Sequence, residues 1–348
     1  MYAVWAALLF LGVVLGHDAV QTFKGHTLGL HTYYVYSVAK LTKTSFVSAS
    51  VDNTLKLWEI SSPNAAETFE GHANWVRSVA KLTETSFVSA SGDKTLKLWK
   101  VNNPTAVQTF EGHTDEVSFV AKLTEKLFLS ASWDKTLKLW EVGKTNAVRT
   151  FRGHTSAVWS VVKLTETSFV SAGGDNTLKL WNVDKSNAVQ TFRGHKDWVR
   201  AVAKLTETSF VSASMDNTLK LWEVGHANAV QTFEGHKDWV LSVAKLTESS
   251  FVSASDDKTL RIWEVENPNS VQTFKGQADF VSVTKMSETS FVSASGGGVL
   301  NLWDMDSITR IGDLKKTSKP FTNISFFIFV CLFAVSVYGY FRISSAFP

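Results

Sequence analysis

The chain is written in short apolar runs of about five residues, each closed off by a polar cluster. In one representative stretch the runs are Val76 to Leu82, Phe87 to Ser91, Thr95 to Trp99 and Ala106 to Phe110. They are rich in β-branched and aromatic side chains, which pack well on a pleated, half-buried surface. No stretch of this region shows the 3.6-residue periodicity of an amphipathic helix at helix length. The pattern predicts consecutive short strands joined by tight turns.

The pattern repeats. Gly-His pairs stand at Gly25-His26, Gly71-His72, Gly112-His113, Gly153-His154, Gly194-His195 and Gly235-His236, and a seventh copy reads Gly276-Gln277. From His72 onward the period is 41 residues, and the first interval is 46. Each pair is followed by a Trp, at positions 58, 99, 140, 181, 222, 263 and 303. An Asp stands six residues before each Trp, except in the seventh copy, which has Gly297. Four short strands per unit of this length is the spacing of one propeller blade. The fold class expected is all-β: a seven-bladed β-propeller of four-stranded blades.

The Gly-His, Asp and Trp spacing resembles the WD-repeat β-propeller family, over residues 19 to about 311. The resemblance implies a hydrogen-bonded relay of His, Ser, Asp and Trp in each unit. The matching positions are His26, Ser48, Asp52 and Trp58; His72, Ser89, Asp93 and Trp99; and His113, Ser130, Asp134 and Trp140. They continue with His154, Ser171, Asp175 and Trp181; His195, Ser212, Asp216 and Trp222; and His236, Ser253, Asp257 and Trp263. Physical chemistry agrees, because a buried imidazole needs two partners and a buried indole N–H needs an acceptor. The resemblance also implies that an N-terminal strand closes the last blade. Ala19 to Phe23 repeats the Ala-Val-Gln-Thr-Phe of the other outer strands and precedes the first Gly-His. Ile308 to Ile311 competes for the same place, but Ser307 to Leu314 does not match the repeat.

Two apolar segments flank the repeats. Ile324 to Phe341 carries no charge over 18 residues and predicts a transmembrane helix. Tyr338 and Tyr340 suit an interfacial belt. Tyr2 to Leu15 is apolar but shorter, and reads as a signal peptide or a short N-terminal anchor. The domains expected are therefore 1–16, the signal peptide or anchor; 17–311, the propeller; 312–323, a basic linker; 324–341, the span; and 342–348, a short tail. Lys315, Lys316 and Lys319 precede the span and Arg342 follows it, which places the propeller in the cytosol. A cleaved signal peptide would instead place it in a lumen or outside the cell. Membrane attachment is expected either way.

Composition narrows the function. The 348 residues carry a formal net charge of +3, below what a nucleic-acid-binding domain shows, and Lys recurs evenly around the units. The single Cys331 lies in the apolar C-terminal run, so no intramolecular disulfide or cysteine-based metal site is expected. Six of nine His belong to the Gly-His pairs, and His17, His31 and His226 show no metal-ligand spacing. Gly143-Lys144-Thr145 lacks the first glycine of a phosphate loop, because Lys138 stands there. No catalytic set, cofactor site, metal site or small-molecule substrate site is expected, and the chain is read as a binding protein rather than an enzyme.

The units also act as an internal comparison. Lys-Leu-Thr-Glu-Thr-Ser-Phe-Val-Ser-Ala-Ser recurs with few changes. The residue before each Asp varies freely: Val51, Gly92, Trp133, Gly174, Met215 and Asp256. So do the three residues after each Gly-His, as in Ala73-Asn74-Trp75 or Lys237-Asp238-Trp239. Strand order brings both stretches to one end of the blade. Five Trp outside the scaffold set and outside the N-terminal run lie at or beside these positions: Trp75, Trp133, Trp159, Trp198 and Trp239. Trp and Arg are enriched at binding hot spots. Arg77 and Arg200 lie two residues beyond Trp75 and Trp198, and the first unit carries a longer loop with His31, Tyr33 and Tyr34. A protein- or peptide-binding rim is expected from Tyr34, Trp75, Arg77, Trp133, Trp159, Trp198, Arg200, Met215 and Trp239.

Overall fold

A computed structural model describes residues 19–28, 31–32, 34–276 and 278–305. Among them are seven four-stranded antiparallel sheets and one two-stranded ladder, Thr27–Leu28 with His31–Thr32. The first sheet runs Val35–Lys40, Ser45–Ser50, Leu55–Glu59, Ala65–Phe69, each strand pairing with the next in sequence. The next five sheets repeat that order. The inner strands of consecutive sheets touch in a closed cycle, the last against the first. The molecule is a seven-bladed propeller.

The seventh blade draws on both ends of this region. Phe280–Lys285, Ser290–Ser295 and Val299–Asp304 supply three strands, and Gln21–Lys24 supplies the outer one. Its register pairs Gln21 with Leu302 and Phe23 with Leu300. The run at 308–311, the linker, the expected span at 324–341 and the segment at 1–16 lie outside the described residues. Among the described residues no helix is long and apolar enough to cross a membrane.

A Phe-Phe-Trp triad explains why the blades adhere. Phe69 of the first blade's outer strand meets Phe87 of the second blade edge-on, with ring centroids 5.0 Å apart, and Trp99 at 5.9 Å. Six further interfaces repeat the arrangement. At the seam Phe23 meets Phe46 at 5.1 Å and Trp58 at 5.8 Å. Burying one such ring contributes about 1.5–3 kcal/mol, and edge-to-face geometry adds about 0.5–1.5 kcal/mol. The second strand of each blade, such as Ser86–Ser91, is buried on both faces, which is why its residues are small or apolar.

A second tie joins the blades near the far end of the inner strands. The ammonium of Lys81 donates to the Leu41 carbonyl of the preceding blade, and Lys163 donates to Leu123 at 2.6 Å. Lys122, Lys204, Lys245 and Lys285 repeat the bond, and Lys40 completes the circle by donating to Met286.

Candidate protein-interaction face

The relay holds the turns at one end of the blades. His72 bonds Asp93 through Nδ1 at 2.7 Å and Ser89 through Nε2 at 2.7 Å, while the Trp99 indole N–H donates to the same Ser89 hydroxyl at 2.8 Å. Each of the other five complete units repeats these bonds, from His26 with Ser48, Asp52 and Trp58 to His236 with Ser253, Asp257 and Trp263. His26 follows the strand Gln21–Lys24, so the first relay is anchored from the seam.

A fifth member was not expected from the sequence. Thr95 donates its hydroxyl and its backbone N–H to Asp93 Oδ1, at 2.7 and 2.9 Å. Thr54, Thr136, Thr177, Thr218 and Thr259 do the same in their blades. The signal was visible, since a Thr stands two residues after every relay Asp. Burial opposes ionisation of Asp93, but the bonds from His72 and Thr95 outweigh it and hold the carboxyl well below the usual range. Asp134, Asp175, Asp216 and Asp257 follow the same balance. Burial also lowers His72, His113, His195 and His236, with the bonded Asp opposing, so the imidazoles are neutral at physiological pH.

In the fourth blade Gly173 replaces the Ser found elsewhere, and a Cβ there would lie 2.5 Å from His154 Nδ1. His154 accordingly sits over Asp175 and meets both carboxylate oxygens, at 3.0 and 2.9 Å. Among the described residues the relay of the seventh blade keeps only the bond from Trp303 to Ser293, 2.8 Å.

Over this belt the two variable stretches of each blade are joined through the main chain. The Gly92 N–H donates to Trp75 O at 2.9 Å, Trp133 to Glu116, Gly174 to Ala157, Met215 to Trp198 and Asp256 to Trp239. Val51 with Tyr34 and Gly296 with Asp279 complete seven such pairs. Main-chain bonds place no demand on side-chain identity. The loops are thus fixed in position and free in chemistry.

A second ring lies inside the first. Every inner strand breaks register one residue after its start, between Val76 and Ser78 in the second blade and at the matching place in the others. A β-bulge leaves one residue unpaired and re-aims its side chain. The seven bulged residues are Tyr36, Arg77, Ser118, Trp159, Arg200, Leu241 and Val281, and all of them line one cavity of about 90 Å³. Residues from seven inner strands can share a cavity only on the propeller axis, so this is the mouth of the central channel. Tyr36, Ser118, Leu241 and Val281 were not singled out in the sequence, although that position varies between units as freely as the rim does.

The structure divides the five surplus Trp. Trp75, Trp198 and Trp239 are about two-fifths exposed, with values of 41%, 43% and 46%, and Tyr34 matches them at 46%. Trp133 and Trp159 are half-buried, their indole N–H groups enclosed without a hydrogen-bond partner. Trp159 packs edge-on against Trp133 at 5.2 Å and stacks on Trp198 at 5.6 Å. Gly174 makes room for it, since a Cβ there would lie 3.1 Å from the Trp159 indole nitrogen. Arg77 lies about 5 Å from the rings of Tyr36, Trp75 and Trp133 and donates to Glu116 at 2.6 and 3.1 Å. Arg200 lies over Trp159 at 3.9 Å. Met215 is half-buried, its N–H bonded to Trp198 O. The acidic counterpart is Asp256. Burial, then the nearby Asp279 and Asp238, push its carboxyl up to about 6.

Comparison with known proteins agrees with this architecture. The family model described as WD domain, G-beta repeat matches residues 17–59, 64–100, 104–141, 145–182, 186–223 and 227–264. The chain belongs to the WD-repeat family. Each matched WD repeat begins with an outer strand and continues into the next blade, so the first repeat carries the strand that closes the seventh. The other three strands of the seventh blade, whose relay is eroded, fall outside the matched segments. Among solved structures, the crystal structure of the WD40 beta propeller domain of Doa1 is similar, with a TM-score of 0.74 and 26% identity, covering 83% of this chain and 97% of that one. A search of curated proteins gives no match. WD-repeat propellers are in general protein-interaction scaffolds. Among the described residues of this one, no group of three or more His, Cys, Asp or Glu could hold a metal ion.

Proposed function

We propose that this WD-repeat chain is a membrane-tethered interaction platform that recruits protein or peptide partners through the relay end of its propeller. One observation carries the reading: seven pairs of varied residues are bonded main chain to main chain above a buried belt that is the same in six blades. Such a face binds without first ordering its loops, which lowers the entropic cost of association. Its exposed indoles and stacked guanidinium groups are the side-chain types of binding hot spots. The uncharged run at 324–341 supports tethering, and the lysines before it favour a cytosolic propeller.

The apolar Tyr2 to Leu15 segment favours a second reading, an extracytoplasmic receptor or adhesion propeller. Protease treatment of sealed vesicles separates the two: cleavage from the cytosolic side fits the first, protection the second.

Proximity labelling with the intact chain tests the function. The triple variant Trp75→Ala, Trp198→Ala, Trp239→Ala is expected to lose specific protein neighbours while remaining at the membrane. Unchanged neighbours would refute the recruiting role of this face.

A further inference from the structure

The two arginines at the channel mouth differ. Arg77 is neutralised, since Nε and Nη2 both donate to Glu116. Arg200 has neither an ion pair nor a hydrogen bond among the described residues. Its guanidinium carbon lies over the Trp159 ring, 3.9 Å from the centroid, its Nε is enclosed without a partner, and the side chain lines the channel mouth. Burial, then the facing charge of Arg77, lower its pKa to about 10, so it is charged at neutral pH. A stacked guanidinium offers its edge, a planar fork matched to two oxygens of one anion.

The cavity bounds that anion. Its volume of about 90 Å³ equals roughly three water volumes, room for one small head group. Glu116 cancels Arg77, which leaves Arg200 the one cation lining the cavity without an ion pair among the described residues. Asp256 lies near enough to feel the field of Arg200, and it disfavours a second negative charge. The Tyr36 and Ser118 hydroxyls line the same space. Carbon walls from Leu241 and Val281 suit the methylene stem of a side chain.

We propose that the channel mouth is a receptor for a single carboxylate, the Asp or Glu side chain of a bound peptide, held on the edge of Arg200. This rests on the protein-binding reading of the face. The rim provides contact area, and the mouth requires an acidic residue in what it accepts. A monoanion is favoured over the dianion of a phosphorylated side chain.

The test uses the full chain, immobilised, and three pools of heptapeptides with degenerate flanks and a fixed central Glu, phosphoserine or Gln. The Glu pool should be retained about tenfold more than the Gln pool, the size expected for a charge-assisted bond. Retention of the phosphoserine pool should not exceed that of the Glu pool. Arg200→Gln should erase the preference for Glu over Gln, and Arg200→Lys should restore it only in part. Glu116→Gln, which releases Arg77 and leaves Arg200 in place, should raise retention of the phosphoserine pool. That variant keeps the idea testable if Arg200→Gln does not fold. Equal retention of the Glu and Gln pools, a Glu preference that survives Arg200→Gln, preference for phosphoserine in the parent chain, or no response to Glu116→Gln would each overturn the assignment. Equal retention of all pools that is lost in the triple Trp variant would sink the carboxylate receptor and leave the interaction face standing. Retention that is indifferent to the triple variant would sink the face.

Discussion

The relay belt and the rim are adjacent in sequence and opposite in behaviour. Asp93 is fixed by four donors, from His72, Ala73 and twice from Thr95, and is the same residue in six blades. Gly92, its neighbour, is held only through its backbone N–H, and its counterparts are Val, Trp, Gly, Met and Asp. Burial with several donors leaves one acceptable chemistry, a small carboxylate. A main-chain bond at the surface leaves all of them. The propeller thus separates what must stay constant from what can be specialised, one residue apart. In the seventh blade the constant half of that division has lapsed. It has Gly297 for Asp and Val299 for Thr, and its closure depends on a borrowed strand.

The sharpest way to break the comparison is at the seam. Phe23→Ala removes a fully buried ring from the one strand that, among the described residues, joins the two ends. It should cost about 3–5 kcal/mol, read by denaturant unfolding, more than any relay substitution. Next comes Asp134→Ala, which strands the donors of His113, Thr114 and Thr136. It should cost about 2–3 kcal/mol. Rebuilding the seventh relay with Gln277→His, Gly297→Asp and Val299→Thr should recover about 1–2 kcal/mol. The nearest atoms to a Cβ at Gly297 lie 4.0 Å away, so a Cβ there meets no clash.

Acid acts on the same contrast. The relay Asp carboxyls are lowered in the fold from 3.8, so their contribution is present above that value and is lost as pH falls below it. His72, His113, His195 and His236 are also lowered, from 6.5, and the unfolded chain takes up protons first as pH drops below that point. Both groups lose stability in one direction. The melting temperature should fall from pH 7 to pH 4, and hydrogen exchange should rise first in blades two, three, five and six rather than in the relay-poor seventh. The smallest effect is local. Lys94 holds a φ of 71° in its turn, where other blades place Asn at 67° and 62°. Lys94→Gly should stabilise by at most about 1 kcal/mol.

Much of this was legible because it recurs at fixed spacing. The Phe, Trp, His and Asp positions repeat with the period, and the outer strand at 19–23 announced its destination by being identical to three others. The rest has no side-chain signature. The lysine ties between blades end on carbonyl oxygens, which every residue owns. The bulge that turns Arg77 and Arg200 into the channel is a backbone register shift. The five surplus Trp looked equivalent along the chain. Only the bulge at Trp159 and the glycine opposite it separate a channel wall from an exposed rim.

Rim and relay should be separable, and thermal melting of two variants side by side tests that most directly. The triple change of Trp75, Trp198 and Trp239 to Ala should melt within about 2 °C of the parent, because these rings are two-fifths exposed. Asp134→Ala should melt several degrees lower. A triple variant that melts as low as Asp134→Ala, or lower, would mean that the rim is part of the core, and the division between scaffold and binding face would fall.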